Sequence, residues 1–471
     1  MSEHIKCEHY KKCGGCQLQN LPYDRQLSFK QVKVIKLLGK YHHVNEIIGM
    51  EHPYRYRNKV QAAFKSVGGK IISGVYQSST HNIVSVDSCM IEDEKADEII
   101  VTIRKLLKSF KLKVFNEDNF TGFLRHVLVK RSFTTGELMV VLVTGTLEFP
   151  EESKFINALL SRHPEITTIV QNVNNKRTSL VLGDTTKVLY GSGYIEDELL
   201  GCKFRISPKA FYQINPIQTE VLYGKALEFA KLTGNETVID AYCGTGTIGI
   251  LASKLAEKVI GVELNADAVK DAKVNAELNC VKNIEFYEAD AGKFMVELAQ
   301  RQEKIDTVIM DPPRAGASLD FLKSLVALKP QNAVYISCNP ETQARDLSFL
   351  TRKGYKVKKI QPVDMFPHTQ HVETVVLLSR KKVNDRINFD INIEALPDRV
   401  SKTATYAEIK AYVLEHYGFK VSSLYIAQIK DKHGVKEREN YNIGEGKSKE
   451  LVCPPEKEEA ITNALKHFNM I

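Results

Sequence analysis

The 471-residue sequence has no long hydrophobic run and no internal repeat. No apolar stretch approaches the roughly 18 residues that a membrane-spanning helix needs, and the amino terminus has no apolar segment with a small-residue cleavage site. We therefore expect a soluble, cytoplasmic protein without membrane contact. Nine cysteines, an odd number in a chain without a signal peptide, argue against a disulfide framework. We expect reduced thiols, some of which bind metal or take part in catalysis.

The length and the spacing of apolar residues predict an α/β protein of three parts. Residues 1–205 start with a Cys- and Gly-rich segment and an amphipathic helix at 24–38, and continue as an antiparallel, β-rich domain. Residues 206–382 alternate strands and helices, which predicts a doubly wound, mostly parallel sheet with an antiparallel last strand. Residues 383–471 are predicted to be a linker, up to residue 403, and a small helical extension.

Short apolar runs between Gly, Asn and Ser turns mark the predicted strands of the β-rich domain. These strands are 59–64, 71–76, 123–131, 137–143, 167–172 and 179–182. A helix at 94–108 is predicted to interrupt them. The predicted helices of the extension are 406–417, 422–432 and 456–468.

A glycine-rich turn follows the first predicted strand of the second part. Gly244, Gly246 and Gly249 have the G-x-G-x-x-G spacing between a strand and a helix, and Glu263 ends the next strand 19 residues after Gly244. A carboxylate at that position can accept hydrogen bonds from both ribose hydroxyls of an adenosine. Taken alone, this pattern is typical of sites for NAD and for S-adenosylmethionine.

Acidic residues at three strand ends distinguish these two cofactors. Asp240 precedes the glycines, Asp290 follows the third strand near the expected position of the adenine, and Asp311 follows the fourth. These carboxylates would repel the pyrophosphate of NAD, whereas S-adenosylmethionine has no such group. We therefore predict S-adenosylmethionine as the cofactor.

A cysteine and a glutamate are predicted to face the same crevice. Cys338 follows the apolar run 333–336, and Glu373 precedes the last apolar run at 374–378. The ends of parallel strands and the start of an antiparallel strand share one edge of a sheet. Thiol addition at C6 of uracil makes C5 nucleophilic, and a base must later remove the C5 proton. The pair predicts methylation of uracil C5; the alternative is a buried, structural Cys338.

Residues 351–382 carry a net charge of +6 around the predicted catalytic glutamate. A basic segment beside a catalytic crevice favours contacts with the phosphates of a nucleic acid. A solvated basic face is the alternative explanation.

Four cysteines have the spacing of a metal site. Cys7, Cys13 and Cys16 lie close together in the sequence, and Cys89 follows much later. On spacing alone, four thiolates suit a [4Fe–4S] cluster and a zinc ion about equally.

The sequence resembles the S-adenosylmethionine-dependent RNA uracil-5-methyltransferases over residues 5–382, and most closely their 23S ribosomal RNA branch, which carries an iron–sulfur cluster. The shared motifs are FYQIN at 211–215, DAYCGTG at 240–246, DPPR at 311–314, SCNP at 337–340, FPHT at 366–369 and HVE at 371–373. The resemblance implies a class I Rossmann-like methyltransferase domain, 23S ribosomal RNA as the partner and a monomer.

The same resemblance assigns roles to individual residues. Cys338 is implied as the nucleophile and Glu373 as the base that takes the C5 proton. The implied contacts with S-adenosylmethionine are Gln213, Tyr242, Gly244, Gly246, Glu263, Asp290 and Asp311. The implied ligands of a [4Fe–4S] cluster are Cys7, Cys13, Cys16 and Cys89, which favours iron–sulfur over zinc.

Several alternatives stay open at this point. The same chemistry can act on the T-loop uridine of transfer RNA, or the chain can be a non-catalytic RNA-binding assembly factor that retains the fold. The extension can be a helix-turn-helix-like module with 422–432 as the recognition helix, or a protein-docking or stabilising appendage.

Overall fold

The structure is a computed structural model, and it divides the chain into two compact units, Met1–Asp385 and Arg386–Ile471. The described residues are 6–77, 80, 82–381, 404–433, 453–468 and 470–471. The predicted linker at 383–403 lies outside them. In the part of the chain that is described, no helix combines the length and the apolar composition needed to cross a membrane.

The amino-terminal part of the larger unit builds a seven-stranded sheet, called sheet 1. Its strand order is β3-β2-β1-β4-β5-β6-β7. The strands are β1 (Lys59–Val67), β2 (Lys70–Tyr76), β3 (Ile83–Ser85), β4 (Leu124–Arg131), β5 (Leu138–Thr144), β6 (Thr168–Val173) and β7 (Thr185–Tyr190). The helices of this part are α1 (Tyr10–Cys13), α2 (Tyr23–Leu38), α3 (Glu94–Ser109) and α4 (Glu152–Leu160).

Helix α3 forms and packs as its sequence predicts. The Asp93 side chain caps it by accepting a hydrogen bond from Ala96 N at 3.0 Å. Ile99, Ile103 and Leu107 recur at helical spacing, are fully buried, and belong to the same core as the strands of sheet 1. Burial of this apolar face fixes the helix on the sheet.

Two details of the predicted antiparallel sheet are wrong. Strands β5 and β6 pair in parallel, because α4 lies between them in the sequence and acts as a crossover helix. Residues 179–182 form no strand. The Asn174 amide donates to the Leu180 and Val181 carbonyls, at 2.7 and 3.0 Å, so side-chain bonds replace ladder bonds there.

The second part of the larger unit is built on another seven-stranded sheet, called sheet 2. Its order is β12-β11-β10-β13-β14-β16-β15, and β16 runs antiparallel to both of its neighbours. The strands are β10 (Thr237–Ala241), β11 (Lys258–Glu263), β12 (Ile284–Glu288), β13 (Thr307–Met310), β14 (Asn332–Ser337), β15 (Tyr355–Val363) and β16 (Glu373–Arg380). The predicted α/β fold with a mostly parallel sheet and an antiparallel strand is confirmed.

Helices cover sheet 2, and a small hairpin precedes it. The helices are α5 (Pro216–Ala230), α6 (Thr247–Ser253), α7 (Ala266–Leu278), α8 (Ala291–Gln300), α9 (Leu319–Leu328) and α10 (Pro340–Arg352). The hairpin strands are β8 (Ile195–Leu199) and β9 (Cys202–Ile206). Strands β13 and β14 are buried along almost their whole length, which explains their unbroken apolar sequences.

The two sheets share one hydrophobic core, although the predicted domain boundary at residue 205 lies between them in the sequence. One core cluster contains Met139 and Val141 from sheet 1 together with Val238 and Ile336 from sheet 2. Apolar burial of this kind stabilises the arrangement of the two sheets. The crevice of sheet 2 therefore lies on a packed, two-sheet scaffold.

The smaller unit contains three helices among its described residues. These are α11 (Tyr406–Tyr417), α12 (Ser423–Lys432) and α13 (Pro455–His467), close to the predicted bounds. Thr405 and Glu408 form a capping box at α11, and Ser422 caps α12. Ile409, Ile426 and Ile461 meet in a common core.

Candidate active site

Three strand ends bring the predicted catalytic residues together. Ser337 of β14 is in register with Thr374 of β16, so Cys338, just after β14, lies beside Glu373, the first residue of β16. Strand β13, which ends one residue before Asp311, pairs with β14 on its other side. The structure therefore places the thiol between two carboxyl groups at one edge of sheet 2, as the strand pattern predicted.

The turn that carries Cys338 is fixed to the turn that follows β13. Asn339 caps α10 by accepting a hydrogen bond from Glu341 N at 3.1 Å. Its amide also donates to Arg314 O at 3.3 Å, and the Thr342 hydroxyl is within 3.3 Å of the same carbonyl. These contacts hold the SCNP and DPPR motifs side by side.

The electrostatics of this cluster are dominated by burial and by repulsion between like charges. Glu373 is 4% exposed, and burial, reinforced by the charge of Asp311, raises its pKa well above the usual value. Burial, Glu373 and Asp311 raise the pKa of Cys338 to about 11, whereas Arg314 lowers the pKa of the thiol. A raised pKa makes each group a stronger base or nucleophile once it is ionised.

The glycine-rich turn has the strained backbone that its sequence predicts. Tyr242, Gly244 and Gly246 have φ values of 65°, 54° and 81°, in the left-handed region. A Cβ atom on Gly246 would lie 2.8 Å from the Phe286 ring, so only glycine fits there. A Cβ atom on Gly244 would meet nothing within 4 Å, which leaves that backbone open to a ligand.

Carboxylates surround this turn. Glu263 accepts hydrogen bonds from Gly244 N at 3.0 Å and Asn265 N at 2.8 Å. Asp240 accepts from Gly249 N at 2.6 Å with one oxygen, while its buried Oδ1 has no partner. Asp290 caps α8 by accepting from Lys293 N at 2.9 Å. This acidic, glycine-lined edge suits an adenosine with a positively charged sulfonium and does not suit a pyrophosphate.

Gln213 is held beside the crevice by a residue that sequence reasoning missed. Its side-chain amide donates to the Tyr223 hydroxyl at 3.3 Å. Tyr223 is buried, and its pKa is raised by burial and then by the nearby charge of Asp311. The sequence did carry a signal for this contact, since Tyr223 lies on the buried face of the helix that follows the FYQIN motif. A buried phenol needs a polar partner, which Gln213 provides.

The predicted position of the basic segment 351–382 is wrong. Glu373 is in register with Val363, whereas Arg380 is in register with Tyr355, at the other end of the two strands. Seven residue steps along β16 separate Glu373 from Arg380 by about 23 Å. Lys356 also lies near that far end, so Lys356 and Arg380 do not border the crevice.

The amino-terminal cysteines lie near one another as free thiols. All nine cysteines of the chain are unpaired. Burial raises the pKa of Cys16 to about 12, and the charges of Cys13 and Cys7 add to that effect. Cys16 and Cys89 pack against one apolar cluster formed by Met50, Tyr56 and Ile91. Among the described residues, however, no three His, Cys, Asp or Glu side chains are arranged to hold a metal ion.

Comparison with known proteins places this chain among RNA methyltransferases. The family model of the tRNA (uracil-5-)-methyltransferases matches residues 178–381. An RNA methyltransferase of Clostridium tetani, named as uncharacterized, is 45% identical over 377 residues, covering 79% of this chain and 82% of the relative. A similarly named protein of Oceanobacillus iheyensis is 44% identical over 389 residues, covering 81% and 85%.

A solved structure is similar to this chain over most of its length. It is the Pyrococcus abyssi tRNA (uracil-54, C5)-methyltransferase in complex with S-adenosyl-L-homocysteine. The match has a TM-score of 0.66 and 32% identity, and covers 78% of this chain and 86% of the other. Fold and site together define an S-adenosylmethionine-dependent RNA methyltransferase. Within that class, the chain belongs to the RNA uracil-5-methyltransferase family.

Proposed function

We propose that the protein methylates C5 of a uridine in 23S ribosomal RNA, with Cys338 as nucleophile and Glu373 as base. The observation that carries the proposal is the position of the thiol and the buried carboxyl group at adjacent ends of β14 and β16. Methylation at a carbon that is not nucleophilic requires these two groups in contact with one base.

The reaction begins at the thiol. The Cys338 thiol loses its proton to solvent, and the thiolate Sγ bonds to C6 of the uracil, so that the electrons of the C5–C6 double bond move toward C5 and O4. Bound S-adenosylmethionine supplies the electrophilic methyl group to C5. Glu373 then takes the C5 proton, the C5–C6 double bond re-forms, and the C6–S bond breaks with its electron pair returning to sulfur.

The raised pKa of Glu373 suits the second half of this sequence. A carboxylate in a buried, negatively charged setting is a stronger base than one in water. Arg314 lowers the pKa of both Cys338 and Glu373, and thereby opposes the repulsion among the acidic groups. We infer that Arg314 limits the rise of both pKa values without cancelling it.

The residues that would hold the cofactor surround the glycine-rich turn. They are Gln213, Tyr242, Gly244, Gly246, Glu263, Asp290 and Asp311. Support comes from the open backbone at Gly244, the position of Glu263 against it, and the pKa of Asp311, which burial raises. A cationic sulfonium beside Asp311 would stabilise its ionised form.

The choice of RNA rests on the amino-terminal cysteines. The family model and the Pyrococcus abyssi structure carry the name of transfer RNA enzymes, so the T-loop uridine is the second candidate substrate. Resemblance to the branch that carries an iron–sulfur cluster favours ribosomal RNA. Tritiated methyl transfer to 23S ribosomal RNA fragments and to transfer RNA transcripts, followed by mapping of 5-methyluridine, tests this. Methylation of transfer RNA alone would contradict the ribosomal assignment.

We further propose that Cys7, Cys13, Cys16 and Cys89 hold a [4Fe–4S] cluster. The mutual repulsion of Cys7, Cys13 and Cys16 would be relieved by a bound cation, and Cys16 and Cys89 share one apolar support. The cluster would fix the amino-terminal segment on the scaffold. Protein purified without oxygen should contain about four irons per chain. Stoichiometric zinc in place of iron would favour a zinc site.

A further inference from the structure

The segment that leads to Glu373 is fixed by the amino-terminal part of the chain. Residues 364–372 connect β15 to β16, and Glu373 is the first residue of β16. Within this segment Asp364 is completely buried and His368 is 1% exposed. Both contact helix α2, which lies more than 300 residues earlier in the sequence.

Asp364 forms an ion pair without solvent access. Lys30 Nζ is 2.5 Å from Asp364 Oδ1 and donates to Phe366 O at 3.0 Å, and the side chains of both charged residues are 0% exposed. The Tyr23 hydroxyl donates to Asp364 Oδ2 at 2.8 Å. Removing two charges from water offsets most of the attraction between them, so stability alone is a weak reason for such a pair. The pair does fix the position of Asp364 relative to α2.

His368 adopts a backbone conformation that the surrounding contacts impose. Its φ is 67°, in the left-handed region where a non-glycine residue is strained. His368 N donates to Gln26 Oε1 at 2.8 Å, and its carbonyl accepts from Leu18 N at 2.9 Å. Strain of this kind persists only where the neighbours over-determine the conformation, and it is concentrated at functional sites.

The histidine ring is oriented as well. Because Gln26 Oε1 accepts from His368 N, the Gln26 amide nitrogen faces His368 Nδ1, at 3.1 Å, as a donor. Nδ1 is then an acceptor, and Nε2 carries the proton that it donates to Pro53 O at 2.9 Å. The Tyr54 ring stacks on the imidazole with centroids 4.8 Å apart. The contacts thus fix the orientation of the imidazole ring.

These four residues, Gln26, Lys30, Asp364 and His368, are called the anchor network. We propose that the anchor network positions Glu373 for removal of the C5 proton, an inference that rests on the proposed function. Only four residues separate His368 from Glu373. The Thr369 hydroxyl donates to Phe366 O at 2.8 Å and accepts from His371 N at 3.2 Å, and both bonds hold this stretch in a compact turn. A shift of His368 is therefore transmitted to the carboxyl group.

The network should act on one chemical step only. Cys338 is fixed by β14, α10 and the DPPR turn, and none of the hydrogen bonds that hold it involves the anchor network. Thiol addition and methyl transfer should therefore survive its loss, whereas elimination should slow. A purely structural role would lower all steps together through the amount of folded protein.

Single-turnover kinetics with a uridine-containing RNA separate these possibilities. The double variant Lys30→Met/Asp364→Asn removes both charges at nearly constant volume, which avoids a buried unpaired charge. A denaturing gel should show a covalent protein–RNA adduct that forms within about threefold of the wild-type rate. The adduct should decay at least about tenfold more slowly than in the wild type, because a misplaced Glu373 loses part of the rate gain that a general base provides. Lys33→Met, a partly exposed neighbour on α2, is the matched control and should behave as wild type.

A second variant covers the case in which the double variant does not fold. Gln26→Met removes the contacts to His368 without changing any charge, and it should slow adduct decay in the same way. Two outcomes in either variant would overturn the inference. One is an adduct that decays at the wild-type rate, and the other is a parallel decrease in the rates of adduct formation and adduct decay. Glu373→Gln separates the two proposals. If it accumulates adduct and the anchor variants do not, only the anchor role is wrong; if it turns over normally, the proposed function is wrong.

Discussion

The two ends of sheet 2 carry opposite chemistry although the same strands connect them. At one end a thiol and buried carboxyl groups, Cys338, Asp311 and Glu373, lie at neighbouring strand ends with raised pKa values. At the other end of β15 and β16, Lys356 and Arg380 are the charged groups. Acidic and basic residues that lie only a few positions apart in the sequence are thus separated in space by the length of a strand. The antiparallel direction of β16 therefore decides which side chains reach the crevice.

The difference also has a physical cause at the basic end. Strand β15 is the edge strand of sheet 2. Lysines on an edge strand discourage pairing with the edges of other chains, because the charge cannot be buried between two strands. Edge protection therefore accounts for these lysines without a nucleic-acid contact.

The largest expected effect follows from removing the thiol at the acidic end. Cys338→Ala should lower methyl transfer by at least about a thousandfold, because no other group can add to C6. Affinity for S-adenosylmethionine, measured by calorimetry, should change little, since the thiol contacts the base. Cys280→Ala, at an exposed thiol, is the control and should keep full activity. Residual turnover with lost cofactor binding would contradict the nucleophile assignment.

Glu373→Gln should lower turnover nearly as much as Cys338→Ala, but it should block a later step of the reaction. Addition and methyl transfer can proceed with an amide at this position, whereas removal of the C5 proton cannot. A denaturing gel should show a methylated protein–RNA adduct that persists after the wild-type adduct has decayed. Normal activity without a shifted band would exclude Glu373 as the base.

Much of this acidic end could be predicted from the sequence. The glycine pattern, the apolar run before Cys338 and the antiparallel last strand are local signals, and together they place Cys338 beside Glu373. The missed features depend on tertiary contacts. Nothing near Lys30 in the sequence indicates that it meets Asp364, because a single lysine on a basic helix has no periodic signal.

The errors in the predicted strands and at the basic end have more local causes. Strands β5 and β6 pair in parallel because the crossover helix α4 lies between them in the sequence. Asn174 satisfies the carbonyls of residues 180 and 181, which no periodicity predicts. The basic segment was judged by its distance from Glu373 in the sequence, although β16 carries the chain away from the crevice. Spacing along the chain indicates which residues could share a site, whereas strand direction decides which of them do.

The pH dependence of Cys338 alkylation sharpens the comparison at the acidic end. The pKa of the thiol is raised to about 11, first by burial and then by Glu373. Because the thiolate is the reactive form, the iodoacetamide rate at the Cys338 peptide should rise about tenfold per pH unit up to about pH 9 without a plateau. Glu373→Gln removes one negative neighbour, lowers the pKa and should raise the rate wherever the wild-type Glu373 is ionised. A plateau below pH 8 would contradict the raised pKa.

The smallest effect is expected at the basic end. The variant Lys356→Gln/Lys358→Gln removes two exposed charges from the edge strand and should change stability by less than about 0.5 kcal/mol. Methyl transfer to a 23S ribosomal RNA fragment should stay within about twofold of wild type, with an unchanged salt dependence of binding, because Lys356 and Lys358 lie about 20 Å and about 15 Å from Glu373 along the paired strands. Each lost phosphate contact would lower the logarithmic salt slope by about 0.9, the value for duplex nucleic acid. A slope lower by about 2 would show that the RNA reaches both ends of sheet 2, and would replace edge protection as the explanation for these lysines.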